Sequence, residues 1–201
     1  MSRVLLTAFE PYDEWSANAS WLAVQHLTRD LPTSPQVTTR LYPVDFSLLR
    51  ERLVGDLREN FDVALMLGQS PGATAIAFEA IGVNAAVARG SLAEDAAPLA
   101  ADGPTAYRSD LPLGDWSRRL REAGIPAQVS HHAGTFLCNA AMYLAHYFIE
   151  RMSLPTRATF IHVPLDVSQA VDVASPPAAM PVEITAESLR LVLSWLKAPV
   201  S

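Results

Sequence analysis

The chain has 201 residues, half of them hydrophobic and 18% charged, with a net charge of -6 at pH 7. That length supports one substantial core, so a single domain over residues 1–201 is expected, and no apolar run is long enough to span a bilayer. The acidic balance and the absence of any Lys or Arg run exclude a nucleic-acid-binding surface, and Lys197 as the sole lysine leaves Schiff-base chemistry without a nucleophile.

The first strand is expected over residues 3–8, entered directly from Met1 with no hydrophobic leader or cleavage site. A helix follows over 20–30, a strand over 37–42, a helix over 46–60 and a strand over 63–67. Residues 75–83 read as one further strand. Residues 90–114 carry no periodicity and read as a long surface excursion, the kind of segment that serves as lid or interface. Beyond it come a helix over 115–123, a strand over 127–130, a helix over 138–152 and a strand over 158–163. Residues 175–181 are a Pro-rich connector into a last helix over 186–197, for which Thr185 is the expected N-cap. Ala141, Leu144, Ala145 and Phe148, and again Leu189, Val192, Leu193 and Leu196, recur at helical spacing. The strands are continuous apolar runs, as in sheets covered on both faces. The expected fold is therefore α/β, an open, mostly parallel twisted sheet with helices on both faces.

In such a sheet the ligand crevice lies beyond the carboxyl ends of the strands, which directs attention to the residues just after each one. Cys138, the only cysteine, falls at the start of a helix, where the dipole and free N–H groups favour thiolate. A lone thiol can be buried filler, an interchain partner or a nucleophile. It also fits a reducing cytoplasm. A nucleophilic thiol needs a proton acceptor, and His162, which ends a strand, is the histidine best placed to be one; the alternative is a satisfied structural histidine. Glu79 is a carboxylate inside an apolar run. Either it faces water from an edge strand, or it is buried against an imidazolium or Arg89. A metal site on His131 and His132 is a minor alternative, because adjacent residues on a strand point to opposite faces and rarely chelate one ion.

Several segments then match a known pattern. Val4-Leu5-Leu6-Thr7-Ala8-Phe9-Glu10-Pro11-Tyr12 with Asn18-Ala19-Ser20 is similar to the LLTGFEPFGG and NPS opening of the pyroglutamyl peptidase I family, also called pyrrolidone carboxyl peptidases. Leu67-Gly68-Gln69-Ser70-Pro71-Gly72 and Phe78-Glu79-Ala80-Ile81-Gly82-Val83-Asn84 follow in order. Ala133-Gly134-Thr135-Phe136-Leu137-Cys138-Asn139 resembles the family's nucleophile signature, and Phe160-Ile161-His162-Val163-Pro164 its histidine signature.

The resemblance implies a cytosolic cysteine peptidase that removes an N-terminal pyroglutamyl residue. Its triad falls on Glu79, Cys138 and His162. It further implies a lactam pocket lined by Phe9, Tyr12 and Phe136, with Gln69 near the substrate and Arg89 close to the catalytic centre. The resemblance implies a homotetramer and no metal or organic cofactor, with a small peptide as the partner and neither nucleic acid nor membrane.

The chain departs from the pattern where Asp13 and Glu14 replace two glycines, where Tyr12 replaces phenylalanine, and where Ala73 and Ala80 replace arginines. Asp and Glu resist conformations that glycine permits, so the first loop is expected to take a different path and to alter affinity or specificity. Two alternatives stay open: a thiol hydrolase of another N-blocked or cyclised substrate, and a non-catalytic binding protein on the same fold.

Overall fold

The computed structural model describes residues 2–171 and 174–196. In chain order the elements are β1 (Arg3–Phe9), α1 (Ala19–Leu27), β2 (Gln36–Tyr42), α2 (Phe46–Leu57), β3 (Val63–Gln69), β4 (Ile76–Glu79), β5 (Ile81–Val83) and β6 (Ala106–Arg108). There follow α3 (Leu113–Glu122), β7 (Ala127–Ser130), α4 (Leu137–Arg151), β8 (Arg157–Val163), β9 (Leu165–Asp166), β10 (Ala179–Met180) and α5 (Val182–Trp195).

Six strands form one sheet in the order β2-β1-β3-β8-β4-β7. Every neighbouring pair is parallel except β4 with β8, which is antiparallel. The α/β fold with a mostly parallel sheet is thus present, with one reversal that an apolar run does not encode. Alternate residues of each strand feed separate cores. Val4, Leu6, Leu65, Leu67, Phe78, Ile161 and Val163 pack toward α1, α3 and α5. Leu5, Ala64, Met66, Ala158 and Phe160 pack toward α2 and α4 on the other face. By the same alternation Glu79 and His162 belong to the α2/α4 face, because Phe78 and Ile161 belong to the other.

The run 75–83 is not one strand. Ala80, 4% exposed, is where the chain leaves the sheet: its N–H donates to Ser130 and its carbonyl accepts from Ser109. β5 then pairs antiparallel with β6, which lies within the supposed structureless excursion. That excursion is tied down by Asn84, which donates to the Ala100 carbonyl at 2.7 Å and accepts from the Ala100 N–H at 3.0 Å. The last helix starts at Val182, three residues before its expected N-cap. Thr185 is buried inside it, and Pro181 occupies the cap position, where its missing N–H costs nothing. The expected end of that helix at Lys197 lies outside the described residues.

Candidate active site

Three segments converge on the α2/α4 face at the top of β3 and β8. β8 brings His162 beside Phe160, with ring centroids 4.9 Å apart in an edge-on arrangement. β4 brings Glu79. Its antiparallel register sets Ala77 opposite His162, so Glu79 reaches the imidazole along the diagonal between strands. The Nδ1–H of His162 donates to Glu79 Oε1 at 2.7 Å, and the carboxylate is 2% exposed. Glu79 is therefore not on a water-facing edge, since β4 lies between β8 and β7. Its other oxygen, Oε2, is buried and has no partner among the described residues, which leaves His162 as the side chain that answers its charge.

The start of α4 brings Cys138. Phe136 caps the helix without a side-chain bond, and the first intrahelical bond is donated by Ala140 to Phe136. The N–H groups of Leu137, Cys138 and Asn139 therefore have no intrahelical acceptor, as at any helix start. Asn139, fully buried, anchors this turn. It accepts from the Val83 N–H at 2.8 Å and donates to the Val83 and Ala85 carbonyls at 2.9 Å each. The loop ahead of the helix is tied across by Val87 N–H donating to Thr135 at 2.9 Å.

The ionisation of His162 reports the proximity of these groups. Burial works against the imidazolium, but the Cys138 sulfur and then Glu79 favour it more strongly, and its pKa is raised from 6.5 to about 10. With Nδ1 committed to Glu79, Nε2 is the ring's remaining proton site.

Beside the thiol lies a small pocket of about 290 Å³ including its open mouth, lined by Phe9, Tyr12, Asn18, Val44, Gly68, Gln69, Phe136, Leu137 and Cys138. Most of that space is the open mouth, and the cavity proper is about 30 Å³, a narrow slot beside the thiol. Phe136 packs edge-on against Phe46 at 5.4 Å, and Phe9 lies 6.4 Å from Phe160, so both walls are braced from behind. Burial raises the Tyr12 phenol above its ordinary pKa, as does Cys138, while the Gln69 amide acts in the opposite sense.

Gly68 is required by close approach. A Cβ there would come 2.9 Å from Cys138 Sγ and 2.7 Å from Phe160 Cζ. Substituting Gly68→Ala is expected to push the sulfur off its position and to lower thiol-dependent turnover about 100-fold, the scale of a 1 Å misplacement. Steady-state kinetics read it, against a melting curve that shows the protein still folded.

The family model for pyroglutamyl peptidase matches residues 2–196. The chain belongs to the pyroglutamyl peptidase family. It is 36% identical to the pyrrolidone-carboxylate peptidase of Thermococcus kodakarensis, over 96% of this chain and 95% of that one. It is 35% identical to the protein of the same name from Streptomyces coelicolor, over 96% and 91%. Among solved structures, the pyrrolidone carboxyl peptidase of Fervidobacterium islandicum superposes with a TM-score of 0.91 at 27% identity, covering 98% of this chain and 99% of that one. A mutant pyrrolidone carboxyl peptidase from Pyrococcus furiosus superposes with a TM-score of 0.88 at 32% identity, covering 98% and 100%.

Within this pyroglutamyl peptidase, Cys138, Phe9, Tyr12, Gln69 and Phe136 share the pocket, and Glu79 with His162 stands at its thiol edge. Arg89 does not line it. Its guanidinium pairs with Asp13 and is 57% exposed, although its charge still reaches Tyr12. Asp13 itself adopts φ 61°, the left-handed conformation that glycine favours and Asp tolerates, and Trp15 N–H closes the turn onto Tyr12 at 3.2 Å. Asp13 thus adopts a conformation that glycine takes more easily, and it adds a carboxylate that binds Arg89. Val44 and Leu137 join the pocket through folding alone. Asn18 could have been found as an N-cap: its Oδ1 accepts from Ser20 N–H at 3.0 Å at the start of α1.

Proposed function

We propose that Cys138, His162 and Glu79 form the catalytic triad through which this cysteine peptidase removes N-terminal pyroglutamate. The observation that carries the assignment is the buried 2.7 Å bond from His162 Nδ1 to Glu79, set beside a thiol at a helix start. Cys138 Sγ, relieved of its proton by His162, attacks the carbonyl of the pyroglutamyl residue. The new oxyanion is met by N–H groups of the first turn of α4, which have no helical acceptor. His162 Nε2 returns the proton to the leaving amine as the C–N bond breaks. Water then attacks the thioester with His162 as base, releasing pyroglutamate and the thiol. Glu79 keeps the imidazole in the tautomer that presents Nε2 and stabilises its cation.

Phe9, Tyr12 and Phe136 enclose the lactam ring, and the unpartnered Nε2 of Gln69 supplies a donor for its carbonyl. Side chains and water account for each step, so the reaction calls for no cofactor. The peptide is the partner, and the acidic chain has no use for nucleic acid or membrane; among the described residues no helix is long and apolar enough to cross one. A reducing cytoplasm preserves the thiol, and the family resemblance carries a homotetramer.

A substrate panel tests the reading. A pyroglutamyl amide is expected to turn over at least 100-fold faster, in kcat/KM, than prolyl and acetyl-aminoacyl amides, because a pocket built to hydrogen-bond a group rejects analogues that lack it. A clear preference for a non-lactam group points to another blocked amine. Iodoacetamide that neither labels Cys138 quickly nor is excluded by pyroglutamate analogues indicates a non-catalytic binder.

A further inference from the structure

Gln69 ends β3, is 3% exposed and lines the pocket, and which end of its amide faces the ligand decides what the pocket recognises. Its Oε1 accepts from Ala19 N–H at 2.9 Å and from Gln169 Nε2 at 3.1 Å. Its Nε2 is buried and completes no hydrogen bond among the described residues, and the acceptor it faces is the Tyr12 hydroxyl, whose ionisation the Gln69 amide favours. A turned amide would place three donors against one another in a buried site, so the two donors to Oε1 aim Nε2 away from themselves, to the side of Tyr12.

Gln169 cannot itself turn. Its Oε1 accepts from Asp166 N–H at 2.9 Å, and its Nε2 also donates to the Ala17 carbonyl at 3.1 Å. Asp166 and Gln169 form a reciprocal cap on the short 3-10 turn Val167–Gln169, in which the Asp166 carboxylate accepts from Ser168 N–H at 2.9 Å. That cap uses only the oxygen of Gln169, and a glutamate serves it equally well. The amide nitrogen is spent outside the turn, on Gln69 and on the first loop.

We propose that Gln169 is a positioning residue for substrate recognition: by holding Oε1 of Gln69, it fixes Nε2 of Gln69 as the donor to the lactam carbonyl. This rests on the lactam reading of the pocket. It assigns a role in specificity to a residue 100 positions from the one it controls.

Gln169→Glu tests it while keeping the cap. One carboxylate oxygen still accepts from Asp166, and the other now faces Gln69 Oε1, which turns the Gln69 amide and presents an acceptor to the lactam carbonyl. KM for a pyroglutamyl amide and the inhibition constant of 2-pyrrolidone are expected to rise together by about tenfold or more, with kcat changing by less than about threefold. The rate of Cys138 alkylation by iodoacetamide stays as in the parent protein. Gln169→Met removes the donor without adding an opposing charge; it carries the test if the first variant does not fold, with a rise of about threefold expected. Unchanged KM and 2-pyrrolidone affinity overturn the proposal. So does a fall in kcat and alkylation rate with KM constant, which marks Gln169 as holding only its turn. If 2-pyrrolidone neither inhibits the parent protein nor protects Cys138, the lactam reading falls first and takes this inference with it.

Discussion

Replacing Cys138 by alanine is expected to abolish release of pyroglutamate, with kcat falling by about a millionfold, the scale on which removal of a covalent nucleophile acts when the rest of the site is intact. The fold should survive. Sγ sits above Gly68 at the half-buried start of α4, and that turn is anchored by Asn139, not by the thiol. Affinity for 2-pyrrolidone should change little, because the walls of the pocket are Phe9, Tyr12 and Phe136 and its free donor is on Gln69. Cys138→Ser keeps the geometry but offers an alcohol that His162 deprotonates poorly, so it too should fall by several orders of magnitude. In the alanine variant His162 also loses the partner that most favours its cation, and its pKa should drop from the raised value. The measurements are single-turnover hydrolysis of a pyroglutamyl amide and histidine titration by NMR. Residual turnover above a few per cent would remove Cys138 from the chemistry.

Much of this architecture is legible in the chain, and the exceptions share a physical cause. β1, β3 and β8 are buried on both faces, and their apolar runs mark them almost to the residue. Burial says nothing of direction, so the reversal of β4 against β8 stays hidden, and with it the diagonal that joins Glu79 to His162. The same blindness makes 75–83 look like a single strand, because Ala80 is as buried as its neighbours while its backbone bonds leave the sheet. Thr185 mimics a cap because local chemistry favours it there; burial of Thr185, Ala186, Ser188 and Leu189 against the core carries the helix back to Pro181. Cys138, Glu79 and His162 stand out by residue type in apolar surroundings. Gln169 does not, because its significance is the orientation of an amide brought to it by tertiary folding.

Glu79→Gln is expected to lower kcat by about a thousand- to ten-thousandfold while preserving volume and fold. The amide can still accept from Nδ1–H through its oxygen, but it carries no charge, and if turned it donates to Nδ1 and forces the proton to Nε2, where the base must be empty. Burial then opposes the imidazolium with one fewer compensating partner. The pKa of His162, held up to about 10 by Cys138 and Glu79 together, must fall. The alkaline limb of kcat/KM, which reports loss of the imidazolium, therefore moves to lower pH in the variant. Stability should follow the same proton. The folded state holds it more tightly than an unfolded histidine of pKa 6.5 does, so its contribution is complete below about 6.5 and is lost as pH rises toward about 10. The gap in melting temperature between parent and variant should accordingly be widest near pH 6 and close on the alkaline side. Glu79→Asp, which keeps the charge but shortens the reach to His162, should recover the position of the alkaline limb better than it recovers the rate. A Glu79→Gln protein with an unshifted limb and a tenth or more of the parent rate would mean that the carboxylate only fills the space behind His162, and that the thiol and imidazole work without it.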